Sequence, residues 1–494
     1  MKKLVLAMGV ISGAALLTAC GSDSDNDKKS DNAPVAGSET RANDKSGVCS
    51  TVATHAGQDI KMADGTYKPL CELEGTVSET ATLSADNVYR LRGYVTVGTG
   101  NGEIELKSKA VVGAEAIAEK KKVTDAGVTL TVEAGTHFRS SGRGSLIITR
   151  GSKLMAEGTA DAPIVMSSID AGYEGQGEWG GLVLQGFAKN NKCGEGSNDV
   201  LCNTADEAGT GFHGGNDDAD NSGSIKHLIV AEGGYEVAPD SEVNGITLHS
   251  VGYGTTIENV MVLNNADDGI EFFGGAANVK NLILVDNGDE SLDWDDGWRG
   301  NVQFALIRQG LVHKGDHGIE ADNKGRAVDA NPQSKPTVAN VTFQTGPKGS
   351  DDLFRFKEGT GGMLVNVAAD NYAECVLLEE AATGRNGSLS LTNVLLECQA
   401  YDNNTLLKAT DGGVAANITG VPGASATVEL GNAFQVTGSE STLANAATLT
   451  SANGSTNFFD AAGASYIGAV APTVSDKANA WWAWADKVVP AAFK

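Results

Sequence analysis

Four short fragments hold ionisable side chains at one repeated phase: ADDGIEFF from Ala266, GDESLDWD from Gly288, GDHGIEAD from Gly315 and SDDLFRFK from Ser350. Overlaid, they bring Asp267, Asp289, Asp316 and Asp351 into one column and Asp268, Glu290, His317 and Asp352 into the next. Two further columns hold Glu271, Asp293, Glu320 and Arg355, then Phe273, Asp295, Asp322 and Lys357. Of the twelve positions in the first three fragments ten are carboxylates, Phe273 and His317 being the exceptions. Grouped carboxylates ligate hard cations such as calcium. Paired carboxylates a few ångströms apart can also move protons across a glycosidic bond. Arg355 and Lys357 close the series with the opposite sign.

Elements that could position such columns recur beside them. TIENVMVLNN (256–265), NVKNLILVDN (278–287), NVQFALIRQG (301–310), TVANVTFQTG (337–346), GMLVNVAADN (362–371) and LSLTNVLLEC (389–398) share an alternating apolar pattern, and SIKHLIVAEG (224–233) is an earlier copy. Alternation over short β-branched runs predicts strands. A period of about 22 to 27 residues predicts a solenoid. The Leu/Asn consensus of leucine-rich repeats is missing, and no helical stretch falls within a copy. An all-β, right-handed parallel β-helix is therefore expected over 126–400. Residues 48–125, with one helix around GAEAIAEKKK, would form an N-terminal cap, and 401–494 a C-terminal cap. An open solenoid end exposes core and strand edges, so Trp481, Trp482 and Trp484 are expected to plug it. A carbohydrate platform is the alternative role for them.

In each fragment Ile270 and Phe272, Leu292 and Trp294, Ile319 and Ala321, and Phe354 and Phe356 alternate with the charged residues. The period of two puts these apolar residues inside and the charged columns outside. Coils stack about 4.8 Å apart. Each like-charged pair then costs roughly 1 kcal/mol in water and about 3.5 kcal/mol at a protein-like dielectric. Bound cations, raised pKa values or bases at the end of the column would relieve that repulsion, and Arg355 and Lys357 supply the last in part. Calcium suits Asp267, Asp289, Asp293, Asp316 and Glu320; a hydrated, screened acidic surface is the other reading. A separate loop, DDADNSGS, has Asp218, Asp220 and Ser222 at alternate places, like the first half of a calcium loop, but Ile229 stands where the closing Glu belongs. An Asx-rich turn accounts for it equally. His213, His227 and His249 read as structural side chains. Of Trp179, Trp294 and Trp298, which could stack sugars, Trp298 is the freest by phase.

The first twenty residues, MKKLVLAMGVISGAALLTAC, have the charged start, apolar run and small-residue end of a secretory signal. A polar, aromatic-free tether follows to residue 47. The six later cysteines, Cys49, Cys71, Cys193, Cys202, Cys375 and Cys398, make an even count that suits disulfides in an exported chain. Their pairing stays open among fifteen possibilities, local pairing being the simplest. With 63 acids against 37 bases the formal net charge is −26, which disfavours nucleic acid as a partner.

Two resemblances add to this. LTAC resembles the lipobox of bacterial lipoproteins, which would make Cys20 the acylated residue; Gly21 after it implies the outer membrane of a Gram-negative cell. EWGGLVLQG, the run from GGNDDADNSG to NNADDGIEFFGG and the closing YIGA and WWAW resemble a family of secreted or lipid-anchored β-helix proteins of such bacteria, with a pectin-lyase-like solenoid. That implies fold and location and lends no catalytic residues. NAD (265–267), DES (289–291), DHG (316–318) and RFK (355–357) resemble, in order and spacing, four motifs of β-helix polygalacturonases. By that likeness Asp267 and Asp289 would activate water, Glu290 would be the acid, His317 would tune it, and Arg355 and Lys357 would hold a uronate. Glu290 stands where those enzymes have Asp. A calcium-dependent lyase would instead use Asp289 or Asp316 for metal and Lys314, Arg355 or Lys357 as base. The reading adopted is an outer-membrane lipoprotein whose rigid acidic face binds an extended polysaccharide or a surface protein partner, with calcium assisting. A glycan-cleaving enzyme on the same face is the rival.

Overall fold

The computed structural model describes residues 39–494 apart from 44–46, 103–109, 112, 171, 194–199, 239–241, 400, 402–404 and 456–457. The expected signal segment, Cys20 and nearly all of the tether lie outside the described residues.

Each coil of the central region contains one long strand and one short strand. Thr256–Leu263, Asn278–Val285, Asn301–Gln309, Thr337–Thr345 and Gly362–Tyr372 are the long ones, stacked in parallel register so that Val260, Leu282, Ala305, Val341 and Val367 form one file. Every long strand turns a corner at a residue of positive φ: Asn259 (55°), Asn281 (60°), Phe304 (63°), Asn340 (56°), Asn366 (59°) and, in Leu389–Cys398, Asn393 (52°). Asparagine enters this left-handed region more readily than other side chains because its short amide can hydrogen-bond locally. The amides also link corner to corner, Asn281 donating to Asn259 at 3.1 Å and Asn393 to Asn366 at 3.0 Å. The recurrent Asn is thus a corner residue, and the architecture is a right-handed parallel β-helix.

The short strands Ile270–Phe273, Leu292–Asp295, Ile319–Ala321 and Asp352–Phe356 stack likewise. Their inward residues Ile270, Phe272, Leu292, Trp294, Ile319, Ala321, Phe354 and Phe356 are all buried in one core. Trp298 is buried there as well, its ring 3.9 Å from Phe272 by centroid. Trp179 is equally buried, donating from Nε1 to the carbonyl of Ala231 at 2.7 Å. The expectation that Trp298 is free to stack a sugar is therefore corrected: the turn after Asp295 folds it back into the core, where its Nε1 finds the Ala277 carbonyl at 3.2 Å.

Stacking begins before residue 126. Tyr67–Val77 pairs in parallel with Val88–Val97, which passes the ladder on to His137–Ser140 and Ser145–Ile148. The helix Ala114–Asp125 stands within this stretch, close to where GAEAIAEKKK predicts it. At the far end Leu407–Thr410 and Ile418–Thr419 still pair with coil strands. Between Gln185 and Gly223 the chain leaves the coil in an excursion that contains an antiparallel pair, Leu201–Ala205 with Phe212–Gly215. The disulfides are local: Cys49–Cys71, Cys193–Cys202 and Cys375–Cys398.

The C-terminal tryptophans do not plug an end. Beyond the corners at Asn259 and Asn281 the long strands are apolar on both faces: Val260 and Val262 face the core, whereas Met261 and Leu263 belong to an outer cluster with Ile229, Ile283, Val285 and Leu306. Strands covered on both sides read as continuous apolar runs, as VMVL and LILV do. The last sixty residues return along the coils to supply that cover. Trp482 is fully buried, stacked on Phe493 at 4.6 Å with Nε1 donating to the Ala433 carbonyl; Trp484 meets His227 edge-on. A sugar platform is ruled out for these two by their burial. Trp482→Ala should cost about 3–5 kcal/mol, read as a lower denaturation midpoint. An unchanged midpoint would mean that this return segment is not what seals the outer face.

Candidate functional site

The short strands hold the ionisable columns in register. Thr247, Glu271, Asp293, Glu320 and Arg355 are successive partners along one file, followed by Leu377. Gln185, His249, Phe273 and Asp295 form the next file but one. The turns before the strands carry the other columns: the amide of Asp351 bonds to the Asp316 carbonyl at 3.0 Å, that of Asp316 to Asp289 at 3.4 Å, and that of Glu290 to the Asp268 carboxylate at 2.9 Å. The columns inferred from the overlay therefore exist as vertical neighbours.

They differ from expectation in exposure. The columns face away from the core, yet Asp268, Glu271, Glu290 and Asp293 are each less than a tenth exposed. Stacked acids at strand spacing and the flanking turns shield one another. Together with Glu242, Asp267, Asp289 and Glu320 they line a groove of about 550 Å³, whose remaining lining is Ala266 and Gly288. Glu242 escaped the overlay, although it stands one coil above Ala266, four residues before Ile246 as Ala266 stands before Ile270. A VNGI in place of DDGI hid the alignment.

Burial dominates the electrostatics. It pushes Asp268 and Asp293 well above the usual carboxylate range, with Glu290 next for Asp268 and Glu320 next for Asp293. Asp289, half-buried beside Glu290 and Asp316, is pushed up to about 7. Glu290 and Asp316 are also raised, burial being the first cause in both. Asp295 and Asp322 are held high by burial, against the pull of Lys192 and Lys357. The relief comes at one end. Burial opposes the charge on His317, but Glu290, 2.7 Å from Nδ1, and Asp316, 3.1 Å away, hold its pKa above the ordinary value. Lys357 pairs with Glu320 at 2.6 Å and Asp322 at 3.3 Å; Arg355 pairs with Glu320 at 3.0 Å and Glu379 at 3.5 Å. Lys314 is tied to Asp351 at 2.7 Å.

Those ion pairs bear on the catalytic assignments. The His317–Glu290 contact is the one a tuned acid needs. Arg355 and Lys357, however, are paired with the protein's own carboxylates, both with Glu320. Oxygen atoms of Asp267, Asp268 and Asp289 lie within 4.8 Å of one another, as do those of Asp268, Glu290 and Asp293, so that each trio could share a cation. In the Asp218 loop Arg299 donates to both Asp218 oxygens, at 3.1 and 3.0 Å, and Lys189 lies at 3.6 Å. Desolvation pushes Asp220 up to about 6, and Ser222 is buried. A calcium ion there would compete with these two bases for the Asp218 carboxylate.

By sequence, the family description "pectate-lyase like beta helix domain" covers residues 118–452. The chain belongs to that family. Among solved structures, this pectate-lyase-like chain is similar to a crystal structure of an alginate lyase from Paenibacillus sp. str. FPU-7, at 14% identity and a TM-score of 0.31, over 61% of this chain and 93% of that one. A likeness so loose carries no argument about chemistry. No curated protein matches the chain.

The raised carboxyls fix a pH dependence. A group whose folded pKa exceeds its unfolded value binds more protons when folded; its contribution is complete below the unfolded value and is lost as pH climbs through the folded one. For Asp289 that window runs from 3.8 to about 7. Without divalent ions the melting temperature should fall as pH rises across it. Asp289→Asn should flatten the fall and melt several degrees higher at pH 8; an identical slope in the variant would refute the assignment.

Proposed function

We propose that this β-helix protein binds an extended, carboxylate-bearing polysaccharide along its acidic groove, with calcium bridging the two. One observation carries the reading: eight acids line a single groove and no base is among its lining residues. At neutral pH such a surface repels an anionic polymer and offers little to a neutral one unless a cation intervenes. Calcium takes six to eight oxygens in loose geometry. A trio such as Asp267, Asp268 and Asp289 would supply part of that shell and leave the rest to ligand carboxylates and water. Asp293, Asp316 and Glu320 would extend the track over the following coils. A surface protein partner with a similar anionic patch is the alternative occupant. Calcium at a hundred times its dissociation constant would stabilise the fold by about 2.7 kcal/mol.

The test is retention of uronate-bearing and neutral polysaccharides by the native protein, with millimolar calcium or with chelator. Calcium should raise the melting temperature, and the uronate polymers should be held only in its presence. Asp267→Asn with Asp289→Asn should abolish both effects. Binding undiminished by chelator, or no thermal shift with calcium, would reject the proposal. A second reading, a hydrolase or lyase, is favoured by one contact, the 2.7 Å pairing of His317 with Glu290. New reducing ends or unsaturated products in the same incubations, absent with Glu290→Gln, would replace binding by cleavage.

We also place the protein at the outer membrane, held through a lipid on Cys20, from the LTAC signal. Cys20→Ser should then abolish palmitate labelling and free the chain from the membrane fraction. An unlabelled wild-type chain would exclude the anchor.

A further inference from the structure

We propose that Asp206, His213 and His249 form a buried divalent-metal site, zinc by its donor set, that fastens the 186–222 excursion to the coils beneath. The proposal shares no residue with the acidic groove and stands or falls apart from it. The three residues come from separate elements: Asp206 follows Leu201–Ala205, His213 lies on Phe212–Gly215, and His249 ends the coil strand Ile246–His249. Their side chains are 0%, 1% and 2% exposed.

The distances are the first observation. Asp206 Oδ1 lies 3.6 Å from His213 Nε2, and Oδ2 lies 3.9 Å from His249 Nε2. Both are too long for hydrogen bonds. They approach the edge of a coordination tetrahedron, about 3.4 Å when metal–ligand bonds are about 2.0–2.1 Å. One atom from each residue falls within a mutual 4.8 Å.

The second observation is a set of unmet polar atoms. Asp206 Oδ1, the oxygen facing His213, is buried and has no hydrogen-bond partner among the described residues. Oδ2, by contrast, is held by Gln185 Nε2 and by Thr210 Oγ1 at 2.8 Å. Buried polar atoms are nearly always paired, so an oxygen left bare beside the His213 imidazole asks for a positive partner. Gln185 Oε1 is likewise buried and unpaired among the described residues; a water would complete the tetrahedron. His213 Nδ1 lies 2.8 Å from Ser250 Oγ, the kind of outer bond that orients a ligating ring. Two imidazoles and a carboxylate, closed to solvent, suit a structural zinc.

Phe273 completes the enclosure. Its ring stacks on His249 at 4.7 Å and 25°, standing in the file between His249 and Asp295. The one apolar residue among the acidic columns thus stands between the histidine and Asp295.

Elemental analysis of the untagged protein should find one equivalent of zinc per chain. Removal by chelator should lower the melting temperature, and zinc should restore it. Cobalt(II) in its place should give the visible d–d absorption of a tetrahedral nitrogen–oxygen site. That absorption should vanish in His249→Gln and Asp206→Asn and persist in Asp289→Asn, which keeps it distinct from cations in the groove. The metal-stripped native chain needs no substitution, so a misfolded variant does not blunt the test. Native circular dichroism with no zinc present and no uptake of zinc or cobalt would overturn the proposal, as would a cobalt spectrum unchanged by both substitutions.

Discussion

In-register parallel stacking is the constraint on which everything else in this molecule rests. It places each residue directly over its counterpart one coil away, so a choice of side chain at one phase is a choice of neighbour about 4.8 Å distant. For apolar phases this is self-reinforcing: Ile270 sits on Leu292, which sits on Ile319. For the acidic phases it is repulsive, and the chain meets the repulsion in three ways. Burial drives Asp268 and Asp293 towards the neutral form, His317 is inserted among carboxylates, and Arg355 and Lys357 terminate the files. The groove lining itself contains no base, and the bases stand where the files end.

What the sequence made legible follows the same constraint. Period and alternation identify the coils, the inward residues and the columns, because those properties depend on local phase alone. The site's outline from Asp267 to Lys357 was readable for that reason. Properties that depend on distant segments were not. Nothing beside Asp218 announces that Arg299, 81 residues on, will take its carboxylate. Trp298 has a free phase by counting, but the turn that contains it bends inward. Asp206, His213 and His249 lie in and beside an excursion that breaks the repeat, where phase carries no information. The runs VMVL and LILV did hold a readable signal, since alternation fails in them where both faces are covered.

The two sites suggested by the structure divide the labour of charge. One is a groove lined by eight acids, several of them held above their usual pKa by burial. The other is sealed, small and built from neutral rings around one carboxylate. Phe273 lies at the boundary, an aromatic ring in the same file as Asp295 and two residues from Glu271. The family's coil is thus a common support on which quite different polar environments can be written one strand apart.

The returning C-terminal segment sets an order on assembly. Coils can stack one upon another as the chain is made, since each needs only its predecessor. The outer flank is different: Arg308 is met by the carbonyl of Lys494 at 3.0 Å, and Lys487 reaches back to Asp161 across a separation of 326 residues. The apolar file of Ile229, Met261, Ile283 and Leu306 therefore stays wet until the C-terminal segment has folded back over it. A chain cut before Trp482 would carry a finished spine with one bare apolar side.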